Sequence, residues 1–312
     1  LKFNFKYKEC RYKMDNTSYF IENKALFGSY PTKDQVAVLR EHGVKVFVDV
    51  TNDNDHLISY KDVLRDNDVY INFPIDDRHY PENSTKFIQL LLTIREHIQS
   101  LRKGEKIYVH CKGGHGRAGV MVACLLCLMH NIRPEESLRL TNEYHSNRET
   151  MKDKWRLIGS PQTRYQKVFI FRMFKELYFF KNVKNSLSYG LSTFSEHPIA
   201  IKNYTFPNVE CAYHALKHSN DDSYMIKFTR CTPTYAKKIT RGDYKDNAEK
   251  TKTMKKLCLL KIKTHPEIKE VLIQTNLRPI IFTGKDSFWG GDTNTIGKIW
   301  MDIRFDLIKN YK

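Results

Sequence analysis

Short apolar runs alternate with amphipathic segments along the first half of the chain. Runs that are typical of buried strands lie at 26–31, 44–50, 70–75 and 107–111. Helical patterns lie between and after them, at 32–42, 85–101 and 134–146. Because strands that alternate with helices favour a parallel sheet, we expect an α/β fold with a mainly parallel central sheet flanked by helices.

The pattern changes in the second half. A polar stretch, Lys181–Ser188, predicts a linker, and beyond it the chain shows a short strand pair within 199–206 and a helix at 207–217. A chain of 312 residues is long enough for two domains. We therefore predict a first domain at residues 1–182 and a second domain, α+β and mostly helical, at residues 183–312.

The composition is that of a globular protein, with 41% hydrophobic and 28% charged residues. The longest apolar run, Ala118–Met129, is shorter than the roughly 18 residues of a membrane-spanning helix, so no membrane partner is expected. The first residues lack the apolar core of a signal peptide, and seven cysteines without framework spacing favour a reducing compartment. We predict a cytoplasmic protein, and we expect neither a cofactor nor a metal.

The net charge is strongly basic. It is +17, and both halves of the chain contribute to it. A basic protein favours anionic substrates or nucleic acid as partners. The alternative is a solvated basic surface that reflects only a lysine-rich composition.

The stretch around Cys111 carries the clearest chemistry. A predicted strand ends there and runs into a glycine-rich loop, which is followed by Arg117 and an apolar helix at 120–129. Such a loop turns successive N–H groups inward, and the start of the helix adds partial positive charge, so the loop can hold a phosphate. The residues expected to line it are Lys112, Gly113, Gly114, His115, Gly116 and Arg117.

Cys111 lies at the floor of this predicted loop. The converging amides, the helix dipole and Arg117 all favour a thiolate over a thiol at this position. We therefore predict that Cys111 is a nucleophile and that Arg117 is a bidentate clamp for phosphoryl oxygens.

The segment His110–Arg117, His-Cys-x5-Arg, resembles the signature of the cysteine-dependent protein tyrosine and dual-specificity phosphatases. The resemblance implies hydrolysis of phosphomonoesters through a phosphocysteine intermediate. It also implies an acid on a movable loop, which protonates the departing oxygen. Pro74-Ile75-Asp76-Asp77 resembles that loop. We choose Asp77, the third residue after the proline, as the general acid, with Asp76 as the alternative.

The segment Ser160–Gln166 resembles the glutamine-bearing loop of the tyrosine phosphatases, in which an amide orients the water that attacks the phosphocysteine. The resemblance implies this role for Gln162, with Gln166 as the alternative. Ala118 departs from the family, which usually has Ser or Thr directly after the arginine to stabilise the departing thiolate. We therefore expect slow breakdown of the phosphoenzyme, and a phosphocysteine trap is a rival interpretation.

Lys112 and His115 add positive character to the predicted loop. This would suit a substrate that is more anionic than one phosphotyrosine, such as a nucleotide, an RNA end or an inositol phosphate. Solvated loop charges are the alternative explanation.

In the second half, helical spacing places Glu210, His214 and Lys217 on one face of the predicted helix. An acid, an imidazole and an amine on one stripe form either a catalytic face or a solvated one. Further along, the loop Asp286–Asp292 combines an indole, two glycines and a carboxylate, and a helix starts just beyond it at Asn294.

Four separated motifs resemble the NADAR family across roughly residues 187 to 306. They are the segment Leu191-Ser-x-Phe, the helix at 209–217, the loop at 286–292 and the helix at 294–304. That family is named for NAD and ADP-ribose. It comprises N-glycosidases that act on ribose phosphates, including riboflavin-pathway intermediates and ADP-ribosylated guanine bases.

The resemblance implies a role for each matching residue. Glu210 would be the principal acid and base, Trp289 would stack on the ligand, and Asp292 would polarise the sugar or a water. Lys217, if it is buried, would attack an opened ribose to form a Schiff base. Further ligand contacts would come from Gly290 and Asn294.

Thr193, Cys211 and His214 depart from the residues that are common in the NADAR family. We therefore weigh two interpretations of the whole chain. The first is a bifunctional hydrolase, with a phosphatase half and an N-glycosidase half that acts on a ribosyl-phosphate compound. The second is a phosphatase whose C-terminal half binds ADP-ribose or nucleic acid without catalysis.

Overall fold

The structure is a computed structural model that describes residues 16–179, 189–218, 221–240 and 244–310. It divides into two units, residues 1–171 and 172–312. This division precedes the predicted boundary after residue 182, because the strand Leu177–Phe179 pairs within the second unit. The predicted linker Lys181–Ser188 and the basic N-terminal residues lie outside the described residues.

The first unit is built on a five-stranded sheet. Its strands are β1 (Thr17–Ile21), β2 (Ala25–Ser29), β3 (Val44–Asp49), β4 (Val69–Asn72) and β5 (Lys106–Cys111), in the order β1-β2-β5-β3-β4. The four strands β2, β5, β3 and β4 run parallel, and β1 is an antiparallel edge strand. The predicted mainly parallel sheet is confirmed, and β5 is its central strand.

Helices flank this sheet, as predicted. They are α1 (Lys33–Glu41), α2 (Ser84–Ser100), α3 (Arg117–His130), α4 (Pro134–Ser146), α5 (Asp153–Ile158) and α6 (Arg164–Phe174). α1 begins with a capping box, in which the Thr32 hydroxyl accepts from the Gln35 amide and the Thr32 amide donates to the Gln35 side chain. In α3 every residue from Arg117 to Cys127 is buried, so this helix lies in the core and its first turn is fixed directly behind β5.

The second unit is mostly helical with short strands, as predicted. Its strands are β6 (Leu177–Phe179), β7 (Ile199–Ile201), β8 (Tyr204–Phe206) and β9 (Ile280–Phe282). Its helices are α7 (Val209–Ala215), α8 (Asp222–Phe228), α9 (Pro233–Ile239), α10 (Asn247–Thr264), α11 (Pro266–Gln274) and α12 (Thr295–Lys309). β6 and β9 pair in parallel, and β7 and β8 form a hairpin.

The core of the second unit surrounds α7 and α12. Six of the seven residues of α7 are at least 94% buried, and Trp300 of α12 is fully buried. The Trp300 indole donates to the carbonyl of Leu191 over 2.8 Å, which anchors the segment that precedes β7. Across the described ranges, no helix combines the length and the apolar character that crossing a bilayer requires.

Candidate active sites

The loop from Cys111 to Arg117 joins the end of β5 to the start of α3. Gly114 has a positive φ of 73°, and a side chain there would collide with the backbone of Gly28 on β2. Glycine is therefore required at this position. Gly116 is the N-cap of α3, so the amides of the helix start face the loop. Cys111, at the floor, is 3% exposed.

Arg117 is almost fully buried, and three hydrogen bonds hold its guanidinium. Its Nη1 and Nη2 donate to the two carboxylate oxygens of Asp55 over 2.6 and 2.9 Å, and Nη1 also donates to the carbonyl of Ile75 over 2.9 Å. Burial alone would raise the pKa of Asp55, but the hydrogen bonds from Arg117 outweigh it and lower that pKa. Asp55 therefore fixes the orientation of the clamp.

Asp55 was missed by the sequence analysis. It ends a short 3-10 turn, Asp53–Asp55, that follows β3. The carboxyl ends of neighbouring parallel strands meet at one edge of a sheet, so an acidic turn after β3 lies next to the end of β5. The position of an acidic turn at the carboxyl edge of the predicted sheet was the signal from which Asp55 could have been predicted.

The two candidate general acids have different surroundings. Asp77 Oδ1 lies 3.3 Å from Nη2 of Arg117, and its side chain is 63% exposed. Asp76 instead accepts a hydrogen bond from the Asn52 side chain over 2.5 Å. Asp77 is thus the carboxylate placed at the clamp and open to a ligand, which favours it over Asp76 for the acid role.

Gln162 and Gln166 both lie against the loop. A methyl group added at Gly116 would meet Oε1 of Gln162 at 2.8 Å and Nε2 of Gln166 at 2.9 Å. Gln166 is fully buried, and its amide is engaged by the Thr163 amide and by the carbonyl of His79. Gln162 is only partly buried. The arrangement favours Gln162 as the amide that can reach a water.

The expected positive character of the loop does not come from His115. Burial lowers the pKa of His115 to about 4, so the imidazole is neutral near pH 7. Its Nδ1 lies 2.7 Å from Nε2 of His145, and its ring stacks on Trp155 at 4.4 Å between centroids. Lys112 does remain beside the site, where its ammonium donates to the backbone carbonyl of Asp55 over 3.2 Å.

A second buried arginine supports the loop and was also missed from the sequence. Arg148, which follows α4, is 1% exposed and donates to the carbonyl of Gly114 over 2.9 Å and to that of Phe27 over 3.3 Å. Burial lowers the pKa of Arg148 to about 10, so it keeps its charge at neutral pH. It ties the loop to β2.

The second unit contains a cavity of about 470 Å³. It is lined by Phe179, Thr193, Phe194, Glu210, Tyr213, His214, Lys217, Lys237, Lys250, Met254, Phe282, Gly284, Lys285, Asp286, Phe288, Trp289 and Ile296. Three of the predicted site residues are in this wall: Glu210, Lys217 and Trp289. A cavity of this size suits a small organic ligand.

Glu210 is the buried carboxylate of this cavity. It is 6% exposed, and its oxygens lie 2.8 Å from the Thr193 hydroxyl, 3.1 Å from Nζ of Lys237 and 3.4 Å from Nε2 of His214. Burial alone would raise the pKa of Glu210, but His214, Lys237 and Thr193 outweigh it and lower that pKa to about 2. Glu210 is therefore ionised, which suits a base or a charge stabiliser and not a proton donor.

Aromatic rings and lysines form the rest of the wall. The Trp289 ring meets Tyr213 edge-on at 5.5 Å and Phe288 at 4.7 Å. The ammonium of Lys217 lies 5.5 Å from the centre of the Tyr213 ring and 5.6 Å from that of Tyr244, a cation–π arrangement. Rings can stack on a base, and lysines can bind phosphate.

The other three predicted residues are not among those that line the cavity. The Asn294 amide is engaged by β9, since it donates to the carbonyl of Ile280 and accepts from the amide of Phe282. Gly290 packs against the carbonyl of Gly284, so its small size serves backbone packing. Asp292 is exposed and lies outside the cavity lining, to which the loop after β9 contributes the carboxylate of Asp286 instead.

Comparison with known proteins agrees with this two-part organisation. Residues 16–170 match the model of the PTP-SAK family, described as "Swiss Army Knife protein, DSP-PTPase phosphatase domain", and residues 178–308 match the NADAR domain. The chain therefore belongs to the family in which a dual-specificity-type cysteine phosphatase domain is followed by a NADAR domain.

Two viral relatives are similar over different lengths. Protein 197R of Invertebrate iridescent virus 6 is 32% identical over 263 residues, which cover 83% of this chain and 82% of the relative. Protein 067L of Invertebrate iridescent virus 3 is 41% identical over 139 residues, which cover 44% of this chain and 57% of the relative. Both names assign the relatives provisionally to the tyrosine phosphatases.

Among solved structures, the active form of Tk-PTP is similar with a TM-score of 0.40 and 17% sequence identity. The similarity covers 50% of this chain and 94% of Tk-PTP.

Proposed function

We propose that the chain is a bifunctional hydrolase. The first unit hydrolyses a phosphomonoester through a phosphocysteine, and the second hydrolyses the N-glycosidic bond of a ribosyl-phosphate or ADP-ribosyl compound. Its substrates would be a phosphorylated protein, nucleotide or RNA end and an ADP-ribose-related compound, with nucleic acid as a further partner for the basic surface.

The observation that carries the phosphatase function is the clamp built at the loop. Nη2 of Arg117 donates to the Asp55 carboxylate and also lies 3.3 Å from Oδ1 of Asp77. Cys111 lies at the floor of the same loop. Burial alone would lower the pKa of Arg117, but Asp55 and the charges of Cys111 and Asp77 outweigh it and raise that pKa. A fixed cation beside a nucleophile and an acid is what phosphoryl transfer needs.

The reaction would proceed in two steps. Sγ of Cys111 attacks phosphorus, the P–O bond breaks, and Asp77 gives its proton to the departing oxygen. Water, oriented by Gln162, then attacks the phosphocysteine, loses a proton to Asp77, and the Cys111 thiolate departs. Arg117 and the loop amides bind the equatorial oxygens throughout.

Replacing the nucleophile tests this half. In the full chain, Cys111→Ser should lower hydrolysis of an aryl phosphate at least about a thousandfold, because a serine hydroxyl is a far weaker nucleophile without an activating base. Phosphate binding should persist, since Arg117 and the amides remain. Cys127→Ser makes the same chemical change in α3, away from the loop, and should keep near-normal turnover. Near-normal turnover by Cys111→Ser would exclude the proposed nucleophile.

The observation that carries the glycosidase function is the ionised Glu210 in the cavity. Cleavage of an N-glycosidic bond builds positive charge on the sugar carbon, and a nearby carboxylate stabilises that charge or accepts a proton from water. Trp289 and its neighbouring rings would bind a base, and Lys250 and Lys285 would bind phosphoryl oxygens. The Schiff base between Lys217 and an opened ribose stays a further proposal, which borohydride trapping of an adduct tests.

Glu210→Gln in the full chain tests this second half. The substrates are ADP-ribosylated guanosine and a phosphoribosyl-aminopyrimidine, and released base is measured by liquid chromatography. Because glutamine keeps the volume but accepts no proton, base release should fall at least about a hundredfold. Phosphatase activity should be unchanged, and so should base release by the control Glu270→Gln, which alters an exposed carboxylate of α11.

The rival function is an ADP-ribose or nucleic-acid binding module. It predicts that the unmodified chain releases no base from either substrate, while Glu210→Gln changes the affinity for ADP-ribose. That combination of results would replace the glycosidase function by the binding function.

A further inference from the structure

We propose that His214 is the general acid of the second site and gives a proton to the departing base, while the Glu210 carboxylate accepts a proton from the attacking water. This inference rests on the proposed N-glycosidase function. The acid and base roles, which the resemblance to the NADAR family implied for Glu210 alone, then belong to two separate residues.

The position of His214 carries this inference. The residue lies one turn after Glu210 on α7, is 8% exposed, and contributes to the cavity wall. Its ring meets Tyr213 edge-on at 5.5 Å. Neither ring nitrogen makes a hydrogen bond of good geometry with any residue that the structure describes. A buried polar group without such a partner is costly, and a ligand in the cavity can supply one.

The chemistry requires a donor other than Glu210. When the bond between C1′ of the sugar and the base nitrogen breaks, the electron pair goes to nitrogen, which needs a proton to leave as a neutral base. Glu210 is ionised beside Lys237 and has no proton to give. Histidine is the side chain that most often transfers protons in catalysis, and His214 lies in the cavity wall next to Glu210.

The contact between His214 and Glu210 lets the proton return to the imidazole at the end of the reaction. The imidazolium proton of His214 moves to the base nitrogen, water adds its oxygen to C1′, and the proton lost by water moves to Glu210. Nε2 of His214 lies 3.4 Å from Oε1 of Glu210, so the proton can return to the imidazole. Overall, one water is consumed, and one free base and one sugar with a free hydroxyl group are formed.

His214→Gln in the full chain is the direct test, because glutamine is neutral and can hydrogen-bond but cannot transfer a proton. Base release from ADP-ribosylated guanosine should fall at least about a hundredfold, with the affinity for ADP-ribose changed less than about threefold. In His214→Ala, added imidazole should restore part of the activity, which a purely structural role for His214 would not allow. His214→Asn is the second neutral variant should the first fail to fold.

The outcomes separate the two proposals. Base release that persists within about threefold in His214→Gln, together with its loss in Glu210→Gln, would overturn the acid role and keep the glycosidase function. The absence of base release by the unmodified chain would overturn both. Loss in His214→Gln and His214→Asn without imidazole rescue in His214→Ala would reduce His214 to a positioning residue and also overturn the acid role.

Discussion

The two candidate sites of this chain are built in opposite ways. The phosphate loop consists of seven consecutive residues, Cys111 to Arg117, held between β5 and α3. The cavity of the second unit is assembled from side chains on separate segments: Thr193 before β7, Glu210 on α7, Lys237 on α9 and Trp289 after β9. A site formed by the backbone of one loop appears in the sequence as a continuous motif. A site formed by side chains on separate segments does not.

The electrostatic arrangements of the two sites also mirror each other. In the first, a buried cation, Arg117, is held by the carboxylate of Asp55 at 2.6 Å. In the second, a buried anion, Glu210, is held by the ammonium of Lys237 at 3.1 Å. Each buried charge would be costly alone and is compensated by a partner on a different segment. The proposed proton donors differ as well, since Asp77 is an exposed loop carboxyl and His214 is a buried imidazole.

The largest effect expected from this comparison concerns Asp77, the proposed proton donor of the first site. Asp77→Asn should lower kcat for an alkyl or phenyl phosphate by about 10²- to 10⁴-fold, because a poor leaving group needs the proton. For a substrate with an acidic leaving group, such as p-nitrophenyl phosphate, the loss should be much smaller. Rates over a series of leaving groups measure this difference.

Asp76→Asn is the matched control for that prediction. It makes the same change one residue earlier, at a carboxylate that accepts from Asn52 and does not contact Arg117. Its effect should not depend on the leaving group. A leaving-group dependence in Asp76→Asn and not in Asp77→Asn would exchange the two roles.

Acid should destabilise the first unit through three of its histidines. Burial lowers the pKa of His110 and His115 to about 4 and that of His145 to about 3. Between pH 6.5 and about 4 the unfolded chain therefore binds more protons than the folded unit, so stability falls as pH falls. Each histidine contributes up to about 1.4 kcal/mol per pH unit.

Glu210 of the second unit provides the contrast with these histidines. The pKa of Glu210 is about 2, below its ordinary value, so the stability that its partners provide is lost only as pH falls from about 4.5 through 2. Calorimetry between pH 7.5 and 5 should thus show a falling transition for the first unit, and His145→Gln should flatten its slope. A transition that stays constant over this range would contradict neutral histidines in the fold.

The sequence offered candidates for most of the phosphate loop and for part of the cavity wall. His-Cys-x5-Arg lies within one strand, loop and helix, so local pattern was enough to select Cys111 and Arg117 as candidates. Asp55 and Arg148 reach the loop from distant parts of the chain, through the pairing order of the sheet and the packing after α4, which local pattern does not encode.

In the second unit the sequence could not tell which polar groups point inward. Asn294 has a φ of 46° and turns its amide to β9, and Asp292 lies in solvent. Lys261 is the opposite case, a charged residue that is buried where the sequence pattern indicates exposure. It lies in the lysine-rich α10, where helical pattern indicates a solvated face, yet it is 1% exposed and donates to the carbonyl of Ser192 and the hydroxyl of Ser195.

The smallest expected effect concerns Ala118, which is fully buried directly after Arg117. If departure of the Cys111 thiolate limits turnover, Ala118→Ser should raise the steady-state rate by up to about tenfold, since a hydrogen bond to a charged group contributes about 1.5 kcal/mol. The unmodified enzyme should then show a pre-steady-state burst with an aryl phosphate, and the burst should shrink in the variant. Ala123→Ser, the same change deeper in α3, should alter neither. A burst of unchanged size in Ala118→Ser would show that the missing hydroxyl does not limit turnover. The contrast between the two sites would then rest on how they are assembled and not on how fast the first site releases its product.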